Sequence, residues 1–458
     1  MIEGRNYMTR QQMISSRELM KLNPNLPLFL INFNLYKKIQ KFQLNLKNVI
    51  PHLGSTTISG FAMFFFRLLI LLLAGKILAG QMFTAFAIGG VISTLFTFTI
   101  GPSIINQNKN VNKNKIQALV INEGKIESNK GVHFEQHVNL DELTPKDVKA
   151  IEIGKKFKTT GVIGFGGGSS MDVAKLSALI LGSNEDLEKA WGVANAKGPR
   201  LPLVLFPTTA GTGSEVTPIS IITVGEEEKK GVSSPIILPD LAILDPDLTL
   251  GLPAATTAAT GIDAMVHAIE AYSSTNKNNN PISKMIAIEA LKLLGSSIET
   301  AVTDGSNVEA RGNMLMGAML AGKAFANSPV AAVHALAYPI GGTFHVSHGL
   351  SNALVLPYVL RFNSVDTKAS KDYSELAPYV FPDLDTNKGT QAVCAEFIDK
   401  MEDLSKRLGL PQKLREVNIP KNACEKMATD AMKQTRLLVN NPRKVTESDA
   451  LNIYHAAW

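Results

Sequence analysis

The feature that most constrains this chain is a change of pattern at Leu252-Pro253. Ahead of it, short apolar runs alternate with glycine-rich and Ser/Thr-rich turns. Behind it, strand signals vanish, and long Ala/Leu/Met-rich stretches with helical spacing run to the C-terminus. The pattern predicts an α/β domain followed by an all-helical one, and 458 residues are ample for two or three large cores.

The α/β half is organised around one turn. A helix begins with Thr144 as N-cap and Pro145 in the first turn and runs to about Lys158. A short buried strand, 160–165, then leads into Gly166-Gly167-Gly168-Ser169-Ser170-Met171-Asp172-Val173-Ala174-Lys175, which opens a helix. Strand, glycine run and helix make a phosphate-binding turn, because glycine permits close backbone approach and a helix N-terminus offers free N–H groups. It is neither a GxGxxG fingerprint nor a P-loop. A second strand, 201–206, leads into Pro207-Thr208-Thr209-Ala210-Gly211-Thr212-Gly213-Ser214-Glu215-Val216-Thr217, whose hydroxyls suit ribose or phosphate oxygens, or an ordinary Ser/Thr turn. Residues 219–224 and 242–244 read as further strands, and 226–230 as a charged turn.

In the helical half, Gly261-Ile262-Asp263-Ala264-Met265-Val266-His267-Ala268-Ile269-Glu270-Ala271-Tyr272 carries an Asp and a His four apart, hence on one face of a helix. A carboxylate and an imidazole so placed make half of a divalent-metal site. His334, among alanines, and His348, before the mostly apolar run 350–360, are candidates for the other half. A buried imidazole needs a partner, and one metal would satisfy all three.

Two cysteines, Cys394 and Cys424, have no CxxC pairing, which excludes a disulfide framework or zinc finger and fits a reducing cytosol. The net charge of +6 is local: between Leu19 and Asn122 there are ten Lys or Arg and no Asp or Glu, and the rest is mildly acidic. No global basic face points to nucleic acid. That segment turns strongly apolar over 61–104, where only Arg67 and Lys76 are charged, and ends in the Asn/Lys-rich run 106–115. Three readings of it stand open. One is a membrane hairpin, since the block exceeds the roughly 20 residues of one span. Another is an acid-poor targeting extension, although the block starts too late for a signal peptide. The third is a mis-joined or frame-shifted segment foreign to the rest. The expected division is an atypical segment 1–122, an α/β nucleotide-binding domain 123–252 and an all-helical metal-binding domain 253–458.

From about residue 143 to 458 the chain resembles the iron-containing (group III) alcohol dehydrogenase family. The resemblance rests on the glycine run from Gly164 to Lys175, the stretch from Pro207 to Thr217, and the Asp263/His267 helix. It continues through His334-Ala335-Leu336-Ala337-Tyr338-Pro339-Ile340-Gly341-Gly342-Thr343-Phe344-His345-Val346-Ser347-His348-Gly349 and Asn440-Asn441-Pro442-Arg443-Lys444-Val445-Thr446. It implies the dehydroquinate synthase-like fold of that family, with Fe2+ (Zn2+ in some members) bound by Asp263, His267, His334 and His348. It implies NAD or NADP with its pyrophosphate on Gly167, Gly168 and Ser169, and contacts from Thr208, Thr209, Thr212 and Lys229. The implied reaction is hydride transfer between a small, primary alcohol and its aldehyde in a cytoplasmic enzyme that associates with copies of itself. Where many members have a histidine four residues after the third ligand this chain has Tyr338, and His345 is the nearby candidate for a proton relay. The family also builds strands ahead of the glycine run, one of them ending in an acidic residue that reads the ribose. No such strand with Asp or Glu is read between Leu19 and Asn122. Two alternatives follow: a metal-binding relative with a disrupted cofactor half, or a membrane-tethered one. Lyases of the dehydroquinate synthase type share the fold but lack these two central motifs in this form.

Overall fold

A computed structural model describes residues 118–122, 137–139, 146–224 and 228–458. Eight strands are described: β1 (Ala118–Asn122), β2 (His137–Asn139), β3 (Gly161–Gly166), β4 (Gly192–Val193), β5 (Leu203–Pro207), β6 (Ile219–Val224), β7 (Glu228–Ser233) and β8 (Leu241–Ala242). Five form one parallel sheet in the order β2-β1-β3-β5-β8. The other three form a small sheet, β4-β7-β6, in which β6 and β7 are antiparallel. Strands of a parallel sheet are covered on both faces and need near-continuous apolar runs. Accordingly Ile121, Val162, Ile163, Leu203 and Leu205 are buried. Helices α1 (Lys146–Lys156) and α2 (Gly168–Ser183) pack in the same unit, and α2 buries Met171, Val173, Ala174 and Ala178 in its core.

Two expectations are corrected here. The sheet does have strands ahead of the glycine run, although neither carries an Asp or Glu, as read: β1 lies beside β3 over its whole length, and β2 lies beside β1. The first strand therefore falls inside the segment 1–122, and a boundary at 122/123 cuts immediately behind it. The second correction concerns the charged turn at 226–230. Residues Glu228 to Lys230 are strand, with Lys229 opposite Thr223 and Lys230 opposite Ile222. Of the other expected strands, 219–224 is present as read, and the rest are present with ends shifted by one or two residues. The apolar block 61–104, Thr144 and Pro145 lie outside the described residues. Among the described residues no helix is long and apolar enough to cross a membrane.

Fully buried Lys175 ties α2 to the loop behind β5. Its Nζ donates to Ser214 Oγ (2.7 Å), Thr217 Oγ1 (3.3 Å) and the Ile219 carbonyl (2.5 Å). Neighbouring Glu215 is also buried, and burial pushes its carboxyl from the ordinary 4.5 up to about 7, against the pull of Lys175. A carboxyl with a raised folded-state pKa binds its proton more tightly folded than unfolded, so its contribution is lost as pH rises from 4.5 through about 7. We expect Glu215→Gln to flatten the fall in melting temperature across that window. An unchanged pH profile would show that Glu215 does not titrate there.

Behind Pro253 the chain is helical: α3 (Ala254–Ser273), α4 (Pro281–Thr303), α5 (Val308–Asn327), α6 (Ala332–Phe344), α7 (His348–Asn363), α8 (Thr367–Val380), α9 (Thr390–Arg407), α10 (Ala423–Met432) and α11 (Glu447–Ala457). The centre is α3, buried all round from Gly261 to Ser273 and packed against α4, α5 and α7. A helix without a solvent face belongs inside a bundle. Asn280 begins α4 with a capping box to Ser283. The Asn440-Asn441 pair is a staple: Asn440 binds Asn276 and the Val330 carbonyl, and Asn441 binds Asn363.

Candidate metal and cofactor site

Asp263 and His267 project from one face of α3, His334 lies in the first turn of α6, and His348 is the first residue of α7. The structure brings all four together, each offering one ligand atom, with these atoms within 4.8 Å of one another. His334 Nε2 is 3.0 Å from His267 Nε2 and 3.9 Å from Asp263 Oδ1, and His348 Nε2 is 3.6 Å from the same oxygen. Asp263, His267 and His334 are buried, and His348 is about a third exposed. Close approach of α7 to α3 depends on Gly349, where any Cβ would collide with the Ala259 carbonyl.

Electrostatics favour ligation. Burial drives the pKa of His267 down to about 3, further than the Asp263 carboxylate can raise it, so the imidazole is neutral with a lone pair to give. Burial alone would raise Asp263, but the three imidazoles and the Asn352 amide outweigh it and hold the carboxyl below its ordinary range. Three imidazoles and a carboxylate are a donor set for Fe2+ or Zn2+.

Two residues missed in the sequence hold this ring. Glu270, one turn beyond His267, accepts from His334 Nδ1 (2.7 Å) and from the backbone amides of Ala331 (3.0 Å) and Val333 (2.7 Å). That bond puts the His334 proton on Nδ1 and leaves Nε2 free for a metal. The 263/267/270 spacing on one helix face was the available signal. Asn352, one turn after His348, donates from Nδ2 to Asp263 Oδ1 (2.6 Å), while its buried Oδ1 has no hydrogen-bond partner. Its Nδ2 is also 3.3 Å from His334 Nε2 and 3.4 Å from His348 Nε2, so a buried amide with an unpartnered oxygen stands beside the ligand atoms, which suits a site meant to hold something more. We expect Glu270→Gln to weaken metal affinity by roughly 10–100-fold in a chelator competition assay, the usual cost of losing such an outer partner. Wild-type affinity would mean that Glu270 only caps α6.

The glycine turn lies at the end of β3. Gly166 has φ +151°, Gly167 caps α2, and Ser169 in its first turn is exposed. The loop behind β5 folds over it: Thr208 N donates to the Gly166 carbonyl (3.0 Å), and a Cβ on Gly168 would sit 2.9 Å from Thr212 Cγ2. Thr208, Thr209 and Thr212 are all partly exposed. Side-chain-free backbone next to a helix N-terminus and hydroxyls fits a pyrophosphate. Lys229 is in β7 and its side chain lies outside the described residues.

Tyr338, one turn beyond His334, has its ring centroid 6.1 Å from that of His348. Burial pushes its phenol pKa up, so it is a hydrogen-bond donor rather than a base at neutral pH. His345 is not brought into the ring. It ends α6 with φ +56°, exposed, and is not one of the four clustered ligands.

Comparison with known proteins agrees with this geometry. Residues 109–246 match the family model "Iron-containing alcohol dehydrogenase", and 257–458 match "Fe-containing alcohol dehydrogenase family, C-terminal". Long-chain-alcohol dehydrogenase 1 of Geobacillus thermodenitrificans is 41% identical over 316 residues, covering 68% of this chain and 78% of that protein. The solved alcohol dehydrogenase of Oenococcus oeni superposes with a TM-score of 0.69 at 31% identity, over 74% of this chain and 92% of the other. Sulfoacetaldehyde reductase from Bifidobacterium kashiwanohense, solved with NAD+, gives 0.62 at 28% identity, over 74% and 90%. Matched across both its sheet and its helical half, and carrying the ligand ring between α3, α6 and α7, the chain belongs to the iron-containing alcohol dehydrogenase family and is an oxidoreductase of alcohols and aldehydes.

Proposed function

We propose that this chain interconverts a small primary alcohol and its aldehyde with NAD(P), using Fe2+, or alternatively Zn2+, held by Asp263, His267, His334 and His348. The observation that carries the reading is the buried convergence of one carboxylate and three imidazoles within 4.8 Å. When bound, the cation supplies Lewis acidity toward the alcohol or aldehyde oxygen, and the nicotinamide supplies the hydride or receives it. The protein's own groups do the positioning. Glu270 fixes the tautomer of His334, Asn352 holds Asp263, and Phe325, stacked on His267 at 4.5 Å between ring centroids, covers one side. Gly167, Gly168 and Ser169 would hold the pyrophosphate, with Thr208, Thr209, Thr212 and Lys229 around it. Tyr338 can donate a hydrogen bond at the mouth of the site.

The presence of β1 and β2 beside β3 favours this reading over a metal-binding remnant without a cofactor half. The test is an NADH fluorescence titration of the full-length Fe(II)-loaded protein, prepared anaerobically, followed by aldehyde reduction. Saturable binding with turnover is the expected result. Bound iron without NADH binding would sink the proposal and restore the remnant.

A further inference from the structure

The structure holds a cleft of about 290 Å³ where the small sheet meets the helical half. That volume is at the small end for ligand sites. Its walls include Trp191, Ile221 and Gly231 from the α/β half, and Tyr338 and Arg436 from the helical half. Tyr338 is shared with the ligand ring, since its other neighbour is His348. The wall is mostly apolar, and no carboxylate lines it among the described residues.

Two cations line this cleft, and their situations differ. Lys230 is engaged: its Nζ is 3.7 Å from Glu188 and 5.9 Å from the centre of the Trp191 ring. Arg436, on the short helical turn Thr435–Leu438, has a guanidinium with no hydrogen bond or ion pair among the described residues. It nevertheless reaches across the cleft, with Nη2 3.9 Å from where a Cβ on Gly231 would be, and its charge is felt by the Tyr338 phenol. An exposed arginine is ordinary on a surface. One that reaches across a mostly apolar cleft, with no hydrogen bond or ion pair among the described residues and a wall shared with the reaction site, is placed to meet an anion.

We infer that Arg436 is a specificity-determining residue for aldehydes and alcohols that carry an anionic group, a carboxylate or a sulfonate, at the end of a short carbon chain away from the reacting carbon. The apolar wall takes the chain, and the guanidinium takes the two oxygens of the anion side by side. This rests on the activity proposed above and narrows its substrate class.

The experiment compares kcat/KM of the full-length Fe(II)-loaded enzyme with NADH for 4-oxobutanoate, its sulfonate analogue and neutral butanal. Wild type, Arg436→Ala and Arg436→Lys are assayed, with NADH affinity measured in each. In Arg436→Ala, kcat/KM is expected to fall about tenfold or more for the anionic aldehydes, with butanal turnover and NADH affinity unchanged and Lys intermediate. The two anionic arms tell carboxylate from sulfonate. Equal losses on butanal, a weakened NADH affinity, or no loss at all would overturn the inference. If no aldehyde turns over, the activity reading has failed. Calorimetry with 4-hydroxybutanoate then reads the cleft by itself, and wild type and Arg436→Ala binding it alike would overturn the inference too.

Discussion

Replacing His334 by alanine is expected to abolish bound iron and aldehyde turnover together. His334 is the most connected member of the ring: Nε2 lies 3.0 Å from His267 Nε2, and Nδ1 is held at 2.7 Å by Glu270. Its removal takes away one of four donors and leaves a buried carboxylate short of a proton donor. Glu270 retains the amides of Ala331 and Val333, so the start of α6 has a reason to stay folded. The loss in metal affinity should therefore exceed the roughly 10–100-fold of an outer-partner deletion, without general unfolding. Metal stoichiometry by mass spectrometry, circular dichroism and turnover on one preparation make the measurement. A variant that kept both iron and activity would remove His334 from the ligand set.

The ligand ring was legible because its chemistry is written at helical spacing. Asp263 and His267 are one turn apart, and His334 and His348 are imidazoles in stretches with no other reason to carry one. What stayed hidden were the residues behind the ligands. Glu270 extends the 263/267 face by one more turn, but a carboxylate that binds two backbone amides of another helix gives no local pattern. Asn352 is likewise one turn after His348, and only its 2.6 Å bond to Asp263 reveals its place. In the sheet, β3, β5 and β6 announced themselves through apolar runs. β1 offers only Ala118-Leu119-Val120-Ile121 after an Asn/Lys-rich run, and β2 only three residues, too little for a period. β1 is a strand because β3 gives it a partner, and β2 because β1 does. β7 carries Glu228, Lys229 and Lys230 at its start and looks like a turn until β6 pairs with it. The boundary at Pro253 was plain, since α3 begins with the next residue.

Replacing Gly168 by valine separates the two halves of the site. Gly168 opens α2 directly behind β3, at a backbone conformation that side-chain-bearing residues also adopt, so the cost is contact rather than strain. A Cβ there lies 2.9 Å from Thr212 Cγ2 and 3.2 Å from Oγ1, and valine adds two more carbons beyond it. Overpacking of this kind costs about 1–3 kcal/mol, or the loop gives way. If the loop gives way, Thr212 moves off the glycine turn and its 3.3 Å contact with Ser214 N is lost. Either outcome fills or deforms the space in which a pyrophosphate would approach the backbone. NADH affinity should fall at least about tenfold, the equivalent of 1.4 kcal/mol. Iron stoichiometry should not change, because its ligands stand on α3, α6 and α7. Alanine, which adds only the Cβ, should lie between. Equal NADH affinity in valine variant and wild type would take the glycine turn out of the cofactor site, while a loss of iron would show that the two halves do not fold independently of this contact.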